Sequence, residues 1–126
     1  METILLVDDE PVALTLCQRM LTVGGYGIVP VSSGEEALRL LQNDTSKIDL
    51  ALLDVMMPGM NGVELANRIR SLNPSIKIVL MSGCGHNEIA RVVDSKPYAI
   101  IWKPFKTESL IRMIENALGN STENPG

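Results

Sequence analysis

An unbroken apolar run that stops on a carboxylate leaves this chain few folds to choose from. Leu50-Ala51-Leu52-Leu53 leads into Asp54, and Val55-Met56-Met57-Pro58-Gly59-Met60-Asn61-Gly62 then breaks the chain through Pro, Gly, Asn and Gly. A short apolar run bounded by turn signals reads as a strand covered on both faces, which is the habit of parallel sheets packed between helices. Such a strand rarely spends its last position on Asp unless that position meets solvent or does chemistry. In open α/β sheets the carboxyl ends of the strands are where ligands bind. Asp54 is therefore placed at the site edge of a central strand. The plainer alternative is a turn residue, since Asp favours turn starts.

The rest of the chain alternates around that strand. Thr3-Ile4-Leu5-Leu6-Val7 is a first strand ending in Asp8-Asp9-Glu10, and Pro11 opens a helix to about Val23. Val12, Leu16, Met20 and Val23 share one helical stripe, predicted to face inward, and Gly24-Gly25 stops the helix. Gly27–Val31 is a second strand; Pro30 lacks an N–H and puts it on a sheet edge. Ser33 and Glu36 form a predicted capping box for a helix with Ala37, Leu40 and Leu41 inward. Asn61 and Glu64 cap the next helix, whose stripe is Val63, Ala66 and Ile69 and which ends at Asn73-Pro74. Ile76–Met81 is a fourth strand, stopping at Ser82-Gly83. A weak helix is expected at about 87–94. Tyr98–Trp102 is a fifth strand ending at Lys103-Pro104, and a last helix is capped by Thr107 and closed by Gly119. Leu110, Met113, Ile114 and Ala117 are its predicted buried face.

Strands alternating with helices imply a parallel sheet with helices on both faces. An edge position for the second strand fits a doubly wound (βα)5 domain of strand order 2-1-3-4-5, with the first and third strands side by side at the topological switch point. Residues 1–119 form one α/β domain in this reading, and 120–126 a disordered polar tail.

Charge and composition exclude several classes. The net charge is −4 and the Lys and Arg residues are scattered, so no basic stripe points to nucleic acid. Cys17 and Cys84 fit no metal spacing and read as reduced thiols of a cytoplasmic protein, with a disulfide between them left open. No apolar run is long enough for a membrane span, and no basic leader precedes the first strand. There is no Walker loop and no dinucleotide fingerprint, so any phosphoryl donor comes from another molecule.

The strand ends carry the chemistry. Asp8 and Asp9, Asp54, Ser82 and Lys103 meet at one rim. Crowded carboxylates repel unless a cation neutralises them, and hard oxygen ligands with open positions suit Mg²⁺. With an ammonium and a hydroxyl, they supply what is needed to hold a phosphoryl group on Asp54 as nucleophile. Taken singly, each residue has an ordinary explanation: helix-dipole acids for Asp8, Asp9 and Glu10, a turn serine, a solvated lysine. Together they have complementary roles that those explanations do not cover.

In these residues the chain resembles the response-regulator receiver domains of two-component signalling. The similarity rests on Leu6-Val7-Asp8-Asp9-Glu10, Leu53-Asp54 through Gly62, Met81-Ser82-Gly83 and Lys103-Pro104-Phe105, and spans Thr3 to Leu118. It implies Asp54 as the phosphoacceptor, Asp9 as a direct Mg²⁺ ligand, Asp8 acting through water and the Met56 carbonyl completing the protein ligands, with Mn²⁺ as a substitute ion. It also implies Lys103 on the phosphoryl group, Ser82 on a phosphoryl oxygen, and a cis Lys103–Pro104 peptide. The implied partners are a histidine kinase or phosphotransfer protein and a downstream effector of unknown identity, met by a monomer or weak homodimer that is not itself an enzyme. The alternatives are a phosphorylation-independent interaction module or a receiver fragment of a hybrid kinase. A hydrolase of the aspartyl-phosphate type fits less well, because Met56 stands where an Asp-x-Asp pair would place its second acid. One position departs from the family pattern: Ile100 stands three residues before Lys103, where such domains usually carry Tyr or Phe. A substitute for that ring is expected in Tyr98 or Trp102, which share its face. The loop Gly83-Cys84-Gly85 is expected to give the larger response. His86, the only histidine, reads as a surface residue.

Overall fold

The run that ends on Asp54 is a strand enclosed on every side. In the computed structural model, which describes residues 1–45, 47–83 and 98–119, all of β3 (Leu50–Asp54) is buried. It pairs in parallel with β1 (Thr3–Val7) on one side and β4 (Lys77–Ser82) on the other. β2 (Gly27–Val31) and β5 (Ala99–Trp102) form the two edges, giving the order β2-β1-β3-β4-β5 with every pairing parallel. Pro30 thus sits on an edge strand, where its missing N–H leaves no ladder bond unmade. The helix expected at 87–94, Cys84, His86 and the tail at 120–126 lie outside the described residues.

Strand alternation divides the core into two layers. Leu5, Val7, Ala51, Leu53 and Leu80 point to the face covered by α2 (Gly34–Asn43) and α3 (Gly62–Leu72). Ile4, Leu6, Leu50, Leu52, Val79 and Met81 point to the other, covered by α1 (Pro11–Val23) and α4 (Thr107–Leu118). Among the described residues, helices cover both faces, which leaves the rim where the strands end for a site.

The local signals act largely as their chemistry dictates. Asn61 Oδ1 accepts from Val63 N and Glu64 N, and the Glu64 carboxylate accepts from Asn61 N, so the capping box of α3 is complete. On α2, Ser33 Oγ accepts from Glu36 N at 3.1 Å, but the Glu36 carboxylate accepts from Ser32 N and not from Ser33 N. The expected box is half formed, because the Ser32 hydroxyl gives Glu36 a second donor at the same place. α4 begins at Thr107 itself, with Lys106 as its N-cap and no side-chain cap; Gly119 ends it at φ 79.

The face of α1 differs from the expectation at Val12, Leu16 and Val23, while Met20 packs inward as expected. Val12 and Val23 are each 75% exposed and Leu16 is 51% exposed, whereas Cys17 and Leu21 are buried and Leu14 and Met20 pack against the same core. Apolar residues occur around more than one side of this helix, so helical spacing fits either stripe. The tight Asp8–Pro11 connection fixes the helix rotation, and spacing alone does not encode it. Val12→Ser is accordingly expected to change stability by less than about 0.5 kcal/mol in urea denaturation. A loss of several kcal/mol would restore the inward assignment.

Candidate functional site

The sheet delivers four strand ends to one rim. Asp8 follows β1 and is fully buried; its Oδ1 accepts from Glu10 N at 3.0 Å, which fixes the carboxylate as the chain turns into α1. Asp54 closes β3 and is 7% exposed. Lys103 follows β5 directly, and its Nζ lies 3.3 Å from Asp8 Oδ2 and 3.5 Å from Asp54 Oδ1. Lys103 N donates to the Ser82 carbonyl at 2.7 Å, which ties the end of β5 to the end of β4, where Ser82 is buried. Asp9 is exposed at the rim, and carboxylate oxygens of Asp8, Asp9 and Asp54 lie within 4.8 Å of one another. The Lys103–Pro104 peptide is cis. Met56 stands two residues beyond Asp54 with its side chain outward, while Met57 is buried and Met60 packs on the α2–α3 core. The structure therefore gathers Asp8, Asp9, Asp54, Ser82 and Lys103, the residues that sequence singled out.

Sequence marks Gly62 as a chain-breaking residue of the Asp54 stretch but does not show its contact with Asp54. A Cβ there would strike the carbonyl oxygen of Asp54 and come within 2.9 Å of Val55 Cα, and Gly62 N donates to Val55 O at 2.9 Å. The N-terminus of α3 is thus pressed against the backbone that carries Asp54. The signal was present as a Gly following a capping Asn, but a strand contact across the loop is invisible to spacing.

The electrostatics are those of a site short of positive charge. Burial pushes the Asp54 carboxyl up to about 6; Lys103 works against that rise, and the Asp8 and Asp9 charges add to it. Burial disfavours the Lys103 ammonium, but the Asp54 and Asp8 carboxylates outweigh it and hold its pKa above the ordinary lysine value. Cys17 lies beneath the site with its Sγ 3.8 Å from Met81 Sδ. Burial, with help from Asp8, pushes this thiol up to about 11, so it is protonated at neutral pH and is no nucleophile. Three carboxylates facing one ammonium form a pocket that fits a hard divalent cation on oxygen ligands.

The folded Asp54 pKa of about 6 lies above the unfolded value of 3.8. Between those values the folded protein holds a proton that the unfolded chain has lost, so stability falls as pH rises through that window. Asp54→Asn removes the penalty. The variant is expected to exceed the parent by about 1 kcal/mol at pH 8 without divalent cations, discounting the full shift for water at the carboxylate edge. The gap should close by pH 4; a gap that does not depend on pH would contradict the charge-crowding account.

The family model for the response regulator receiver domain matches residues 4–115. The chain belongs to this family. It is a receiver domain of two-component signalling, a family whose members work with histidine kinases and downstream effectors. It is 33% identical over 119 residues to a cyclic di-GMP phosphodiesterase of Thermotoga maritima, covering 94% of this chain and 31% of that protein. It is 32% identical over 118 residues to the sensor kinase CckA of Brucella abortus, covering 92% of this chain and 12% of that protein. The chain thus spans a third or less of the length of these two relatives. Among solved structures, the response regulator protein TrrA of Thermotoga maritima, in complex with Mg²⁺ and BeF, is 32% identical with a TM-score of 0.81, covering 93% of this chain and 99% of that one. The receiver domain's Ile100 is half-buried against the α2–α3 core, Tyr98 is buried beside it, and Trp102 is partly exposed. Among its described residues no helix is long and apolar enough to cross a membrane.

Proposed function

We propose that this receiver domain is a phosphoacceptor switch that takes a phosphoryl group onto Asp54 from a phosphohistidine of a histidine kinase or phosphotransfer protein. The observation that carries the reading is the shared ammonium: Lys103 stands 3.5 Å from Asp54 and 3.3 Å from Asp8, at the end of the sheet where a ligand can enter. An Asp54 oxygen forms the new O–P bond as the N–P bond breaks, and the bonding pair returns to the imidazole nitrogen. Lys103 offers its charge to the transferring oxygens, and the Ser82 hydroxyl donates to one of them. Asp9 and Asp54, with the Met56 carbonyl, would hold Mg²⁺, or Mn²⁺ in its place, as direct protein ligands, and Asp8 would act through water. When bound, the ion neutralises charge that the carboxylates and phosphoryl oxygens would otherwise concentrate. TrrA, the relative in complex with Mg²⁺ and BeF, supports this choice of ion. The domain is consumed stoichiometrically in this reading; it turns over no substrate.

The test is intact mass after incubation with a small-molecule phosphodonor. One added phosphoryl group is expected with Mg²⁺ and none with a chelator. Mass gain that ignores the metal would remove the assignment of the acidic cluster.

A further inference from the structure

We propose that Tyr98 is a positioning residue that latches β5 to α3 and thereby sets how Lys103 meets a phosphoryl group on Asp54. The proposal rests on the phosphoacceptor reading above. β5 is a short edge strand held at both ends. At one end Lys103 enters the site and its N–H is bonded to Ser82. At the other, Tyr98 precedes the strand with its ring buried in the α2–α3 core. Its hydroxyl donates to Asn67 Oδ1 at 2.6 Å, and the Arg70 guanidinium stands 4.9 Å from the ring centroid. Asn67 and Arg70 are three apart on α3 and present one face to the ring.

The N-terminus of the same helix is pressed against Asp54 through Gly62. Asp54, α3, Tyr98, β5 and Lys103 therefore form a closed ring of contacts, in which the Tyr98–Asn67 bond ties the start of β5 to α3 and the Lys103–Asp54 pair closes the ring at the site. Ile100, β-branched and packed on the core, has no ring to swing and no hydroxyl to exchange. A hydrogen bond that is made or broken gives Tyr98 the two states that Ile100 lacks. By linkage, the free energy with which an intact latch favours a phosphoryl group on Asp54 equals that with which the phosphoryl group favours the latch.

Beryllium fluoride with excess Mg²⁺ is the probe, and bound fluoride is read by fluorine NMR. Tyr98→Phe removes only the hydroxyl, and Asn67→Ala removes its acceptor. Each is expected to weaken beryllium fluoride binding by about fivefold, with no further loss in the double variant. A Tyr98 that served only the core would lower thermal stability and leave this affinity unchanged. If the parent binds and either variant binds as tightly, the latch is overturned and the phosphoacceptor reading stands. If the parent does not bind, both fall.

Discussion

Lys103→Ala is expected to be less stable than the parent by about 2–3 kcal/mol at pH 8 without divalent cations, and to recover much of that loss toward pH 5. The ammonium is the only cation within ion-pair distance of Asp8 and Asp54 among the described residues, and Asp8 is fully buried. The folded pKa of Lys103 lies above 10.5, so its own favourable contribution is complete throughout this range and is lost only in stronger alkali. The pH dependence comes from the carboxylate. Lys103 holds the Asp54 pKa down against burial, so without it that pKa climbs above about 6. The variant is then penalised where Asp54 ionises and relieved as pH falls through the new value. Phosphoryl transfer from a small donor should slow by about 100-fold, the scale for losing one preorganised charge. Urea denaturation across pH reads the first effect and single-turnover mass analysis the second. Equal stability at pH 8 would mean that the carboxylates are neutralised by something else.

Gly62→Ala is expected to lower stability by about 3 kcal/mol, an overpacking effect at a position with no room to yield. The added carbon meets backbone on β3 and the residue after it, so no side-chain rotation relieves it. The need is for space, since Gly62 opens α3 behind the Asn61 cap and its helical backbone suits any residue. Because the collision is with the Asp54 carbonyl, the variant should also lose phosphoryl acceptance out of proportion to its loss of fold. Native-like stability would show that α3 can draw back from β3.

Much of this was legible in the sequence, for identifiable reasons. Leu50–Asp54 read as a buried strand because apolar continuity and turn residues are local properties, and the strand stands as read. Pro30 announced an edge because inside a central strand its missing N–H would leave a ladder bond unmade. Asp8, Asp9, Asp54, Ser82 and Lys103 converge because parallel strands bring all their carboxyl ends to one side, so topology alone places them together. What stayed hidden depends on rotation and reach. The buried stripe of α1 could not be chosen from spacing, since Val12 and Cys17 stripes are both apolar. Strand periodicity puts Tyr98 on the same face as Ile100, but its bond to Asn67 on α3 joins residues far apart in sequence with no pattern between them. The contact of Gly62 with Asp54 is likewise a fact of the folded loop.

The most direct measurement locates the phosphoryl group. After reaction with a small-molecule phosphodonor and Mg²⁺, borohydride reduction converts an aspartyl phosphate to homoserine, and peptide mass spectrometry reads its position. Homoserine at residue 54 alone, absent from Asp54→Asn, is the predicted result. Homoserine at Asp8 or Asp9, or a phosphoryl group that Asp54→Asn still acquires, would contradict the assignment of Asp54 as the acceptor.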